Sequence, residues 1–186
     1  MPRSRAPVPL GGNRMTLRRK HLLAGVLICL LAGQMSAHAQ TWSKHRYVTD
    51  GFEVEFSGDV KVVPTQLNAE TLKKIVRSTD YQQDDGDRVH IVGASLLLVD
   101  VNFDNGVKQS FEALKCKVRT KDAVLSFPGG RAREVFGTDC HDGNYRVEAR
   151  YYTKGKWFYQ VVCLFKKNSG YDQGARRFVT SFKVIE

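Results

Sequence analysis

Between residues 122 and 165 the chain reads "DAVLSFPGGRAREVFGTDCHDGNYRVEARYYTKGKWFYQVVCLF". Four apolar-patterned segments are separated by Pro128-Gly129-Gly130, by Asp142-Gly143 and by Gly155 between two lysines. Each interval carries a glycine, which adopts the left-handed backbone of a tight hairpin without steric cost, and the segments between are rich in β-branched and aromatic residues. Successive hairpins leave such a stretch one economical arrangement, an antiparallel meander of four strands.

The rest of the chain must pack against that meander. "GFEVEF" alternates Phe52, Val54 and Phe56 with Glu53 and Glu55, the pattern of a half-buried strand, with a turn at Ser57-Gly58-Asp59. The stretch from Thr71 to Asp100 reads as two strands around Asp84-Asp85-Gly86-Asp87, and Val89–Val99, apolar on both faces, belongs inside the sheet. The period then changes. Val107, Phe111, Leu114 and Val118 recur at helical spacing, with Asp104 or Asn105 as N-cap. The C-terminal "YDQGARRFVTSFKVIE" reads as a short helix followed by a strand over 182–185. Strands in one block and helices elsewhere predict an α+β domain, a central antiparallel sheet with flanking α-helices.

The N-terminus reads as an address. Arg18, Arg19 and Lys20 precede an apolar run from Leu22 to Gly33, followed by Ala37-His38-Ala39. A basic region, a short apolar stretch and an A-x-A site specify a secretory signal peptide over residues 1–39, cut before Gln40, with Met15 fitting as its start. The run is short of the about 20 residues a bilayer demands; a leader retained as a membrane tether is the alternative. The first 39 residues hold six of the 29 basic residues and none of the 19 acids, so the formal charge of +10 falls to +4 for residues 40–186. That is too little for a concentrated basic stripe, and no nucleic-acid role is expected. The reading is a single domain over 40–186, monomeric, periplasmic or secreted, with no membrane span in its mature form.

At this point a resemblance enters. "GFEVEF", a Gly-Gly turn followed by "REV", the aromatic-rich hairpin "EARYYTKGKWFYQVV" and the closing "ARRFVTSFKV" resemble small bacterial exported proteins of the PsbP-like type, which share a fold with the extrinsic PsbP subunit of photosystem II. The resemblance spans most of residues 47–186. It implies a central antiparallel sheet with helices on its faces, and no catalytic residues.

Several stretches invite functional readings. "TDCHDGN" crowds Asp139, Cys140, His141 and Asp142 together, yet it lacks the spaced second ligand pair of a zinc motif, and Asp142-Gly143 is a strong two-residue hairpin signal; it reads as a turn. If the segments about "PGG" pair, residues 118–120 lie opposite 138–140, which brings Cys116 close to Cys140. Cys163, two strand spacings away, is about 9–10 Å distant, beyond the roughly 7 Å a bridge spans. A Cys116–Cys140 disulfide with Cys163 free is therefore expected, against the alternative of three reduced thiols. Lys115, Lys117, Arg119 and Lys121, with Arg131 and Arg133 on the neighbouring strand, form a candidate anion patch; the alternative is cations complementing a helix C-terminus. "RYYTKGKWFYQ" reads as a core-lining hairpin, Tyr151, Tyr159 and Val161 facing inward, rather than a base-stacking platform. No G-x-S-x-G, H-E-x-x-H, C-x-x-C or Walker A sequence is present, and His45, His90 and His141 are scattered. The expectation is an exported, non-catalytic accessory or binding protein needing no metal or cofactor, with a protein or an anionic small molecule as partner. A small periplasmic hydrolase with an unrecognised site is the alternative.

Overall fold

The computed structural model describes residues 41–65, 69–169 and 172–185; the signal peptide expected over 1–39 lies outside these residues. Ten strands are present among them: β1 (Ser43–Tyr47), β2 (Phe52–Phe56), β3 (Lys61–Pro64), β4 (Ile75–Asp84), β5 (Arg88–Leu97), β6 (Val118–Leu125), β7 (Arg131–Cys140), β8 (Tyr145–Lys154), β9 (Trp157–Lys166) and β10 (Lys183–Val184). Three short helices accompany them: α1 (Ala69–Leu72), α2 (Phe103–Ala113) and α3 (Gln173–Ser181).

The strands form two antiparallel sheets. One has three strands in the order β1-β2-β10, the other seven in the order β3-β4-β5-β9-β8-β7-β6. The meander expected from residue 122 onward forms β6 to β9. A second meander, β3-β4-β5, joins it where β5 pairs with β9, His90 opposite Cys163 and Val92 opposite Val161. β5 is interior, as its two-sided apolar pattern requires.

The α+β arrangement with flanking helices is overturned. The chain is predominantly strand and β-sandwich-like, and the three helices are short. The cause lies in Ser43–Tyr47, whose sequence SKHRY shows little apolar alternation. It nevertheless pairs residue for residue with β2, from Ser43 opposite Phe56 to Tyr47 opposite Phe52. β10 adds to the other edge of β2, so a small sheet covers much of what helices were expected to cover.

Strand alternation gives the large sheet two apolar faces. On the sandwich face Val92, Ala94, Tyr152, Tyr159, Val161 and Phe165 pack against Phe52, Val54 and Phe56 of β2 and against Phe178 and Val179 of α3. On the helix face Val135, Val147, Ala149, Tyr151 and Val162 pack against Phe103, Val107 and Phe111 of α2. Tyr151 thus lies on the opposite face from Tyr159 and Val161, because both faces of β8 are buried. The helix starts earlier than its periodicity suggested. Asn102 is its N-cap, accepting from the Asn105 amide at 3.2 Å, and Val118 has left the helix for β6, where it is exposed.

Cys116 follows the C-terminus of α2 and is bonded to Cys140 at the end of β7, with Cα atoms 3.8 Å apart. The pairing places Val118 opposite Thr138 and Arg119 opposite Gly137, which brings the two cysteines together as expected. Cys163 is free and buried on the sandwich face. Gly137 sits under this bridge: a Cβ there would meet the Cys116 sulfur at 2.8 Å and the Phe111 ring at 2.9 Å.

Candidate functional site

The residues singled out in the sequence fall at three places. "TDCHDGN" is a hairpin, but its loop has four residues, His141–Asn144, closed by Cys140 opposite Tyr145. His141, Asp142 and Gly143 all take positive φ, so the two-residue turn expected at Asp142-Gly143 is replaced by a longer left-handed bend. The Asp139 carboxylate is held by the Lys167 ammonium, whose hydrogen bond lowers its pKa, and the ring of His141 lies edge-on to Tyr145 at 6.2 Å.

The six cations of the candidate anion patch do not form one patch. A bulge between Arg119 and Lys121 reverses the side-chain alternation of β6. Arg119 is turned to the helix face, over the Phe111 ring at 4.5 Å and paired with Asp122 at 2.6 Å. Arg133 pairs with Asp122 at 2.6 Å, and Arg131 with Asp104 at 2.9 Å. Lys121 is turned to the sandwich face, onto Glu134. Lys115 and Lys117 lie exposed in the link between α2 and β6. Neighbouring carboxylates thus take up the charge of four of the six cations.

Under α3 a row of polar side chains crosses the sandwich face in register: Gln83, His90, Cys163 and Glu148. His90 Nδ1 donates to the Gln83 side-chain oxygen at 2.5 Å, while Nε2 has no partner among the described residues. Burial drives the imidazole pKa down to about 4 and pushes the Cys163 thiol well up. A thiol beside a neutral imidazole with both protons held in place is the reverse of an activated nucleophile, which needs a thiolate. Next to this row Glu134 is almost wholly buried. Burial alone would raise its pKa, but hydrogen bonds from Lys121, Arg150 and Arg176 draw it down to about 2. Glu148, 3.7 Å from Arg176, is pushed the other way by burial. These groups stitch α3 to the sheet; spacing along the sequence gave no signal for them, because the row runs across strands.

A sizeable concavity lies at one end of the helix face. It is a cleft of about 550 Å3 bounded by α1, the start of β4, the connection from β5 to α2 and the first turns of α2. Ile75, Leu97, Val99 and Phe158 give it apolar walls; Asn102, Asn105 and Gln109 give it amide groups, and Glu70, Lys74 and Asp100 add charge to the lining. Gly106 makes it possible. A Cβ at this helical position would stand 3.1 Å from the Phe158 ring, so glycine lets α2 settle on the ring that forms the floor. On the same face a chain of hydroxyls runs from Ser95 to Ser78 at 2.7 Å, to Thr65 at 2.9 Å and on to the Asp80 carboxylate at 2.9 Å. Burial raises the pKa of Asp80 against that last hydrogen bond. The cleft was missed in the sequence because its walls come from three separate segments. The one local sign was a glycine inside an otherwise helical stretch, which costs about 1 kcal/mol and so marks a close approach.

Among the described residues no helix is long and apolar enough to cross a membrane, and the Cys116–Cys140 bridge fits an oxidising, non-cytoplasmic compartment. Compared with known proteins, the chain matches no family model and none of the curated proteins.

Proposed function

We propose that this chain is an exported accessory protein, active by binding rather than by catalysis, and that the cleft beside α2 receives its partner. One observation carries the reading. The buried groups best suited by type to serve as base, nucleophile or acid, His90, Cys163 and Glu134, are locked under α3 on the sandwich face, while the cleft opens on the helix face, lined by apolar side chains, by the amides of Asn102, Asn105 and Gln109 and by the charged Glu70, Lys74 and Asp100. Concave surfaces that combine apolar walls with a few convergent hydrogen-bonding groups suit recognition. The amides, together with two carboxylates, Glu70 and Asp100, against one ammonium, Lys74, favour a polar segment such as a protein backbone over a strongly anionic ligand. The disulfide-bearing fold and the leader-like sequence support action outside the cytoplasm.

Site-specific photocrosslinking tests this in the producing cells. A photoreactive residue at Asn105, in the cleft, is expected to yield a discrete crosslinked partner, and one at His141, in the β7–β8 loop, none. Equal capture at both positions, or none at Asn105, refutes the assignment.

A further inference from the structure

Large apolar side chains at the surface are unevenly distributed. Eight are prominently exposed among the described residues, and three of them, Val62, Val118 and Val124, belong to the two edge strands of the large sheet. The other five gather at one end of the domain: Val48 (71 % exposed), Leu72 (56 %), Val76 (57 %), Leu98 (53 %) and Val99 (52 %). Backbone and side-chain bonds tie these segments together. The Leu98 amide donates to the Lys74 carbonyl at 2.9 Å, and the Lys156 ammonium to the Leu98 carbonyl at 3.1 Å. Arg77 donates to the Thr49 carbonyl beside Val48 and lies 5.3 Å from the Trp157 ring centre. The cluster is not a by-product of strand alternation. Val76 occupies the β4 bulge between Ile75 and Arg77, and Leu98 and Val99 lie just beyond the end of β5.

Cations surround these apolar groups. Lys73, Lys74, Arg77 and Lys156 border them, with Lys154 in the adjoining β8–β9 hairpin. The acids nearby are fewer: Glu70 pairs with Lys74 at 3.2 Å, Asp50 with Arg77 at 2.6 Å, and Asp100 follows Val99. Protruding aliphatic side chains within a basic border match one surface chemically, a bilayer interface with anionic headgroups, where the chains enter the acyl boundary and the lysines remain at the phosphates. A protein partner of ordinary composition would not require the excess of cations.

We infer that this end of the domain docks peripherally on an anionic lipid bilayer through Val48, Leu72, Val76 and Leu98, with Lys73 and Lys156 meeting the headgroups. None of these six residues lines the cleft, although Val99 and Lys74 of the same cluster and border do, so the docking surface adjoins the cleft without depending on its occupant. The membrane would orient the domain while the cleft, opening at the same end, meets its partner near the bilayer.

Co-sedimentation of the protein as isolated from cells with vesicles of phosphatidylglycerol or of phosphatidylcholine tests the inference. Binding to phosphatidylglycerol is expected, weakened by salt, with phosphatidylcholine left largely unbound. A juxtamembrane cation is worth about fivefold in binding, so Lys73→Gln with Lys156→Gln should weaken it roughly 25-fold. Val76→Asp with Leu98→Asp should abolish it. All four positions are exposed, and an unchanged urea midpoint certifies that each variant is folded. No binding, equal binding to both lipids, or binding that survives both double variants overturns the inference. Capture at Asn105 reads the cleft separately, so failure of one leaves the other standing.

Discussion

His90 is wholly buried between the rings of Trp42, at 5.8 Å, and Phe178, at 4.7 Å. Burial lowers its pKa from 6.5 to about 4; Asp85 and Asp172 oppose the shift electrostatically and Arg88 assists it. For a base with a depressed folded-state pKa the sign is fixed. Above pH 6.5 the ring is neutral in both states and its contribution is complete. Below that the unfolded chain takes up a proton the folded one refuses, and stability drains away as the pH falls toward 4. Between pH 7 and pH 5 a group displaced this far costs the fold about 2 kcal/mol. The depressed Glu134 carboxyl acts in the same direction at lower pH, and the raised Glu148 and Asp80 carboxyls act against it, so the histidine is isolated by subtracting the pH dependence of a variant that lacks it. His90→Asn keeps a donor in the place of Nδ1 for Gln83. The variant will be less stable at every pH because it leaves a cavity. The decisive quantity is the pH difference. In urea titrations followed by the fluorescence of Trp42 and Trp157, the wild-type protein should lose about 2 kcal/mol more than His90→Asn between pH 7 and pH 5. Equal losses would refute the neutral, sealed histidine.

The Tyr151 hydroxyl is buried on the helix face with no hydrogen-bond partner among the described residues, so Tyr151→Phe should leave the fold as stable or raise it by about 1 kcal/mol in the same titration. A Cβ at Gly130 would stand 1.9 Å from the Thr153 carbonyl oxygen; Gly130→Ala should cost about 3 kcal/mol and lower the melting temperature sharply. Cys116→Ser with Cys140→Ser opens a closure of 24 residues in sequence separation, with an expected loss of about 3 kcal/mol by chemical denaturation. The buried Cys163 thiol of that variant should react with a maleimide only after unfolding.

The legible parts of this fold are those written in short-range patterns. Alternation and glycine placed the β6–β9 meander, and hairpin counting from Pro128-Gly129-Gly130 brought Cys116 opposite Cys140. What remained unread depends on residues far apart. Nothing in Ser43–Tyr47 announces that it will pair with Phe52–Phe56, because its apolar content is low and its partner supplies the core contact. That one strand turns the expected helix-covered sheet into a sandwich-like fold. The β6 bulge sends Arg119 and Lys121 to opposite faces and dissolves a basic patch that looked continuous along the chain. The cleft and the His90–Cys163–Glu148 row were invisible for the same reason: each is assembled from segments far apart in the chain.

The junction of the two meanders bears on how the chain reaches its native state. β9 closes its hairpin with β8 through the two-residue turn Gly155-Lys156, a local event. Its other edge must wait for β5, where residue 96 meets residue 157 and residue 88 meets residue 165. Pairing across such separations is slow because loop-closure entropy is lost before contacts compensate for it. The expected consequence is a refolding stage at which "WFYQVVCLF" stands as an unprotected sheet edge. Refolding yield should fall with protein concentration for that reason, and the aggregates that form should be held together by β9.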